Sequence, residues 1–306
     1  MAFTAQDVKA LREATECGML DCKKALIETD GDMEKAIEFL REKGLAAAAK
    51  KASRIAAEGI VVAVNDPDKK VAAVVEVNSE TDFVAKNESF QEFAKIAAKA
   101  VIDNNPASVE ELLAVKVGDQ TVQELLQDRI LVIRENLKIR RFERYEGAVA
   151  TYVHGGGKIG VMVKFDTDVA DKEGFAEYGK NIAMQVAAAN PLYVCECCVP
   201  EEVIEHEKEI ALAQINNDPK MAAKPDVAKA KIVEGKINKY YKENCLVDQE
   251  YVKEPDLTIK AYTDKVAKEL GGSIKIVSFV RMEKGEGIEK REENFAEEVA
   301  KQIAGK

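Results

Sequence analysis

Apolar residues near the start of the chain recur at helical spacing in three short blocks: Val8, Leu11 and Ala14, then Met19, Cys22 and Leu26, then Met33, Ala36, Ile37 and Leu40. Each block has a single apolar face. Thr4 with Asp7 approximates a capping box. Gly18 separates the first pair, Asp30-Gly31-Asp32 breaks and recaps the second, and Gly44 reads as the stop of the third. The pattern predicts a compact three-helix module with its connector over 1–54, and the Lys- and Ala-rich stretch 46–57 reads as helical or flexible.

The period then changes from helical to alternating and back, twice over. Glu58-Gly59 opens an apolar strand at 60–64, a turn containing Asp66-Pro67-Asp68 and a second strand at 71–77. Glu146-Gly147 opens 148–153, a Gly-rich turn and 159–165. Both read as hairpins. A helix follows each with matching apolar spacing, Phe90, Phe93, Ala97, Val101 in one and Phe175, Tyr178, Ile182, Val186 in the other, and each ends in Asn-Pro, at Asn105-Pro106 and Asn190-Pro191. One unit is duplicated. Between the copies, Ser108 with Glu111 and Thr121 with Glu124 read as capping boxes, the second opening a helix with Leu125, Leu126, Ile130, Ile133 and Leu137.

From 201 to 244 the composition turns charged, and two helical runs joined through Asn216-Asn217-Asp218-Pro219 predict an antiparallel helical hairpin. Its thin apolar stripe, Ile204 and Ile210 against Val233, Ile237 and Tyr240, calls for a partner surface. A helix near 262–270, a strand over 273–282 and a final amphipathic helix with Phe295, Val299 and Ile303 complete the chain. The fold class is α+β and multi-domain. The expected divisions are 1–54; the core's first half, 55–146; its second half, 147–200 and 246–281, interrupted by the hairpin at 201–245; and a C-terminal module, 282–306.

Charge narrows the partners. Lys plus Arg number 45 against 55 Asp plus Glu, and a net charge of -10 disfavours a phosphate backbone, so nucleic acid is not expected as the main ligand. No run approaches the length of a membrane span, and the N-terminus has neither a signal-peptide nor a transit-peptide character, so a cytoplasmic protein is expected. The six irregularly spaced cysteines read as reduced thiols and not as a disulfide framework.

Aligning the two copies exposes a difference in the loop after each hairpin. The first reads Thr81-Asp82-Phe83-Val84-Ala85-Lys86-Asn87-Glu88-Ser89-Phe90. The second, Thr167-Asp168-Val169-Ala170-Asp171-Lys172-Glu173-Gly174-Phe175, is one residue shorter and lacks a counterpart of Phe83. Spacing alone leaves two readings of that extra aromatic, one tucked into its own core and one presented to another molecule.

The segment 81–87, together with Asp21-Cys-Lys-Lys-Ala-Leu26 after Gly18-Met19, Lys50-Lys-Ala52 and Gly285-Glu-Gly-Ile-Glu-Lys290, resembles bacterial elongation factor Ts, in order, from about residue 4 to about residue 303. The resemblance implies a guanine-nucleotide exchange factor that embraces elongation factor Tu. It implies a ubiquitin-associated-like N-terminal domain, a two-half core, a coiled-coil dimerisation insert and a C-terminal helical module. It implies that Asp82 and Phe83 enter the partner's GTPase domain near the magnesium and phosphate site, and it favours a presented Phe83. Contact positions carried over are Arg12, Met19 and Lys23, Thr81 to Val84, Ile133 and His154 on matching residues, and Leu20 on a substituted one. Leu20 stands where a second Met is frequent, Arg134 where the family has Gly, and Cys17 where it has Gly. No cofactor, metal or covalent catalysis is implied, and a homodimer or a two-plus-two complex with the partner is left open.

Other motifs carry less. Gly155-x-Gly157-x-x-Gly160 fits a dinucleotide fingerprint, but that fingerprint needs a helix next, and here a strand follows. His154-Gly-Gly-Gly157 mimics an esterase oxyanion loop, yet there is no Gly-x-Ser-x-Gly elbow. Cys195, Cys197 and Cys198, with His206, are the one soft-metal cluster, but no second distant pair accompanies them, and buried or idle thiols are the expectation. The rival readings are an enzyme built on the core repeat and a metal at those cysteines, and a plain adaptor whose three-helix module binds helices or ubiquitin-like proteins.

Overall fold

The computed structural model describes residues 3–289, so the expected final helix carrying Phe295, Val299 and Ile303 lies outside the described residues. Contacts divide the chain into two units. The first comprises, among the described residues, 3–62, 75–142 and 283–289; the second comprises 63–74 and 143–282.

In the first unit, α1 (Ala5–Thr15), α2 (Met19–Glu28) and α3 (Met33–Lys51) form the expected three-helix module. Thr4 and Asp7 complete a reciprocal capping box, and Asp32 caps α3 by accepting from the Lys35 amide at 3.1 Å. Leu11, Cys22, Ala25, Leu26, Ala36 and Leu40 close its core. Gly44 does not stop α3. The helix runs through it to Lys51, because the following Ala-rich segment favours helix and Gly44 lies where α3 meets a later helix: a Cβ there would stand 3.5 Å from the Gln127 carbonyl and 3.7 Å from Leu131.

Strands β1 (Glu58–Asp66) and β2 (Val71–Ser79) make the first hairpin. The one-turn α4 (Asp82–Ala85) leads into α5 (Glu88–Asn104), which buries Phe90, Phe93, Ala97 and Val101. Helix α6 (Val109–Ala114), the short β3 (Lys116–Val117) and β4 (Gln120–Thr121), α7 (Val122–Ile133) and β5 (Lys138–Glu146) follow. The Thr121 capping box is complete, whereas Ser108 makes only half of one, since the Glu111 carboxylate accepts from the Ala107 amide instead. Strand β5 is unforeseen in the sequence pattern, and sheet order β1-β2-β5 places it beside β2. Its run Lys-Ile-Arg-Arg-Phe-Glu-Arg-Tyr-Glu is too charged to read as a strand, but Arg140 and Arg141 are paired with the buried Glu76 of β2.

In the second unit, β6 (Ala148–His154) and β7 (Ile159–Thr167) pair antiparallel, with Ala148 opposite Phe165 and His154 opposite Ile159. Helix α8 (Phe175–Ala189) buries Phe175, Tyr178, Ile182 and Val186. Then come α9 (Glu201–Asn217), α10 (Pro219–Ala222), α11 (Asp226–Asn244), β8 (Glu250–Tyr251), β9 (Glu254–Thr258), α12 (Ile259–Leu270) and β10 (Ile274–Glu283). The order β10-β7-β6 sets a third strand beside the second strand of the hairpin, as in the other sheet. The duplication therefore extends past hairpin and helix to a later helix and third strand, α7 and β5 in one copy, α12 and β10 in the other. It reaches the helix ends too: Asn105 and Asn190 both cap in the left-handed region, φ 49° and 45°.

The helical pair α9 and α11 is present, but its seam differs from the expected stripe. Ile204, Ala211 and Ile215 are buried with Ile237, while Ile210 is exposed. At about 100° per residue, positions 204, 211 and 215 share a face and 210 falls well off it.

Candidate functional surface

The loop after β2 is held from beneath by one carboxylate. Glu135, just past the end of α7, accepts from the amides of Glu80 and Thr81, each at 3.0 Å, and from the Thr81 hydroxyl at 2.6 Å. Glu80 in turn accepts from the Asn136 amide at 2.6 Å, and the Asn136 side chain donates to the Arg54 carbonyl at 2.7 Å. With its backbone fixed at Thr81, the chain makes the single turn of α4. Asn87 then caps α5 by accepting from the amides of Ser89 and Phe90.

Within that turn Val84 is buried and Asp82 is exposed, and Phe83 is 78% exposed. In the shorter loop of the other copy, Val169 is buried and Asp168 accepts from the Ser273 amide at 2.7 Å. Val84 and Val169 thus anchor equivalent positions, and the extra residue stands out. Of the two readings left by spacing, the core reading fails for the chain by itself. The Lys86 ammonium, 6.0 Å from the ring centroid, leaves most of the Phe83 ring open to water.

A second apolar surface lies on the three-helix module. Arg12, Met19 and Lys23 line a groove of about 410 Å³ with Phe3, Val8 and Lys9. Beside it Leu20 is 81% exposed and Met19 61%. Phe3 was not singled out in the sequence, though a signal existed: an apolar residue just before the Thr4 cap and Val8 inside the helix form a hydrophobic staple.

The start of α2 is tied to the end of α7. Asp21 accepts from Lys43 at 2.8 Å and from Arg134 at 2.7 Å. Lys43's hydrogen bond holds the Asp21 carboxyl below the usual aspartate range. Burial works the other way, and the charges of Lys43 and Arg134 reinforce the lowering. Arg134 is the left-handed C-cap of α7, φ 66°, which accounts for a glycine preference at this position. Ile133, half-buried, precedes it, two residues before the Glu135 that fixes Thr81. Met19 and Leu20 thus sit on a helix start tethered to the same turn that holds the Phe83 loop.

Gly285 packs where no side chain fits: a Cβ would lie 2.0 Å from the Ala57 carbonyl oxygen, and φ is +68°. Its amide donates to the fully buried Glu76 at 2.7 Å. Burial would raise the Glu76 carboxyl, but the Gly285 amide, Asn78, Arg141 and Arg140 outweigh it and hold it low. Lys284 pairs with Glu58. This cluster fastens the segment at 284–285 and accounts for the glycine at 285.

Over residues 80–286 the sequence matches the Elongation factor TS family. It is 54% identical over 303 residues to Elongation factor Ts of Clostridium perfringens strain SM101, covering 98% of each chain. It is 52% identical over 310 residues to that of Clostridium kluyveri strain ATCC 8527, covering 99% of this chain and all of the relative. The chain belongs to the elongation factor Ts family. Its place is therefore in translation elongation. The family match begins at the loop that carries Phe83, and the full-length relatives extend the likeness over the three-helix module.

Of the elongation factor Ts positions expected from sequence, Arg12, Met19 and Lys23 come together on one groove, with Leu20 beside it. Thr81, at the head of the Thr81 to Val84 segment, is bonded to Glu135, two residues past Ile133. His154 lies in the second unit, exposed at the end of β6, its Nδ1 3.0 Å from the Tyr152 hydroxyl. The glycines after it, Gly155, Gly156 and Gly157, have φ of 60°, 64° and 100° and turn one antiparallel strand into the next, so the dinucleotide-like spacing is a hairpin turn.

Glu135 was missed, and no local signal could have found it, because its bonds to the loop span sequence separations of 54 and 55. The thiols also differ from expectation. Cys195 and Cys197 are joined as a disulfide, Cα to Cα 5.4 Å, across the start of the 3-10 turn Glu196–Cys198; Cys17, Cys22 and Cys245 are buried free thiols. No helix among the described residues is long and apolar enough to cross a membrane.

Proposed function

We propose that the chain is a guanine-nucleotide exchange factor that binds elongation factor Tu in its GDP form and speeds GDP release, without covalent chemistry. The observation that carries this reading is Phe83, an aromatic 78% exposed on a loop whose backbone is locked by Glu135. An exposed apolar ring is a poor choice for a free surface and a good one for insertion. Because the loop is ordered before contact, little conformational entropy is lost on docking.

A GTPase holds GDP through phosphate-loop amides, a Lys and a magnesium ion. Phe83 displaces apolar side chains of the partner, and Asp82 brings a carboxylate toward the metal and phosphate region. Burying one Phe contributes roughly 1.5–3 kcal/mol, about one to two decades of affinity, which is too little to expel a tightly held nucleotide alone. The rest comes from contacts elsewhere: the groove of Arg12, Met19, Leu20 and Lys23, with Ile133, and on the second unit His154. By linkage, GDP weakens the factor's binding by the same ratio that the factor weakens GDP's, so incoming nucleotide releases the factor and it turns over.

The module over 1–54 serves as a ubiquitin-associated-like docking domain, 55–146 with 147–200 and 246–281 as a two-half core, and 282–306 as a C-terminal clasp. The α9–α11 pair over 201–245 serves as a coiled-coil dimerisation insert, giving a homodimer or a two-plus-two complex. Exposed Leu212, beside Val233 and Ile237 on a groove of about 600 Å³, supports that role. The test is release of a fluorescent GDP analogue from elongation factor Tu under excess unlabelled nucleotide. A catalytic amount of the chain is expected to accelerate release with many turnovers. Binding without acceleration would make the chain an adaptor and sink the proposal.

A further inference from the structure

The segment between α8 and α9 carries three sulfurs in four residues, and the function above does not use them. Cys195 caps the 3-10 turn Glu196–Cys198, and the sulfurs of Cys195, Cys197 and Cys198 all lie within 4.8 Å of one another. Cys195 and Cys198 sulfurs are 3.0 Å apart. Three thiolates bound to one zinc ion at about 2.3 Å and tetrahedral angles would stand roughly 3.8 Å from each other, so this cluster needs only side-chain adjustment to take such an ion.

Cys195 and Cys197 line a cavity of about 490 Å³ with Glu196, Asp248, Lys260 and Lys275, and the next residue, Cys198, is exposed. Asp248 Oδ2 is buried there with no hydrogen-bond partner. A carboxylate oxygen left without a donor is costly, and a nearby cation would offset that cost. The backbone is firm. The Leu192 and Tyr193 amides both donate to the Asn244 carbonyl, at 2.9 and 3.0 Å, and the Val247 amide donates to the Val194 carbonyl at 3.0 Å. The cluster thus sits at the foot of the α9–α11 hairpin, where the outgoing and returning chains are joined.

We propose that Cys195, Cys197 and Cys198 in their reduced form are a three-thiolate site for a soft d10 cation, zinc in the first instance, and that the Cys195–Cys197 disulfide is its closed state. A cellular or small-molecule dithiol gives the disulfide two electrons and two protons, leaves two thiols, and is itself oxidised to a disulfide. Zinc then takes three sulfurs and releases three protons, one from each thiol. Soft thiolates select zinc and Cu(I) over hard cations. A water completes the coordination from the open side.

The test uses the full chain, reduced with a phosphine, cleared of it without air and titrated with zinc chloride against a chromogenic zinc indicator. One zinc per chain is expected, and cobalt in its place should give a thiolate-to-metal charge-transfer band. The chain with the disulfide intact is expected to take up none. Cys198→Ser removes an exposed sulfur, leaves the disulfide pair in place and should leave the metal-free melting temperature unchanged while lowering zinc affinity at least tenfold. Cys17→Ser with Cys22→Ser should leave uptake unchanged. Reduced chain that binds less than stoichiometric zinc, unchanged affinity in Cys198→Ser, or equal uptake by the oxidised chain would each overturn the site.

Discussion

Removing the Phe83 ring should separate function from stability more sharply than any other single change. In the free chain the ring is 78% exposed, so that share of its burial is still to be gained on docking. Scaled from roughly 1.5–3 kcal/mol for a whole Phe, the remainder is about 1–2.5 kcal/mol, or about five- to seventyfold in an equilibrium constant. Phe83→Ala is therefore expected to slow stimulated GDP release by about five- to seventyfold. Its own unfolding free energy should move by less than about 0.5 kcal/mol, as for other exposed positions.

Stopped-flow release of the fluorescent analogue gives the first number and urea unfolding followed by circular dichroism the second. Glu135→Ala is the companion change, keeping the ring but removing the acceptor of three bonds to the loop. It should also slow release, now through lost pre-organisation. A destabilisation of several kcal/mol in Phe83→Ala would place the ring in a core. Full exchange activity at wild-type stability would remove Phe83 from the mechanism altogether.

Two further expectations concern the module that carries Met19 and Leu20. The folded Asp21 carboxyl titrates below its unfolded value, so its ties to Lys43 and Arg134 contribute above the ordinary aspartate range and are lost as pH falls through the folded value. Asp21→Asn should cost about 1 kcal/mol at neutral pH and flatten the acid limb of the stability curve in that window; an unchanged limb would count against the tether. At Gly44, a Cβ would meet only ordinary contacts, the nearest at 3.5 Å, inside a helix. Gly44→Ala should stabilise by roughly 0.5–1 kcal/mol in urea unfolding, and a loss would mean that α3 and α7 need closer approach than the spacing indicates.

Local physics made much of this protein legible in its residues. The caps at Thr4, Asp32 and Thr121, the buried spacing of Phe90, Phe93, Ala97 and Val101, and the two Asn-Pro helix ends all act within a few positions of themselves. They read correctly for that reason. Comparing two copies of one unit also exposed Phe83 as an insertion, which a single copy would have hidden.

What the residues could not disclose depends on partners far along the chain. Strand β5 looked too charged to be a strand until Glu76 stood opposite Arg140 and Arg141. Gly44 looked like a stop until Leu131 lay against it. The hold on the loop before Phe83 rests on Glu135, and the need for glycine at 285 on the Ala57 carbonyl. Sequence by itself determined most of the helices, both hairpins, the duplication and the family. Tertiary structure alone decided which faces were already covered and which were left for another molecule, because burial is a property of the whole packed chain and not of any window within it.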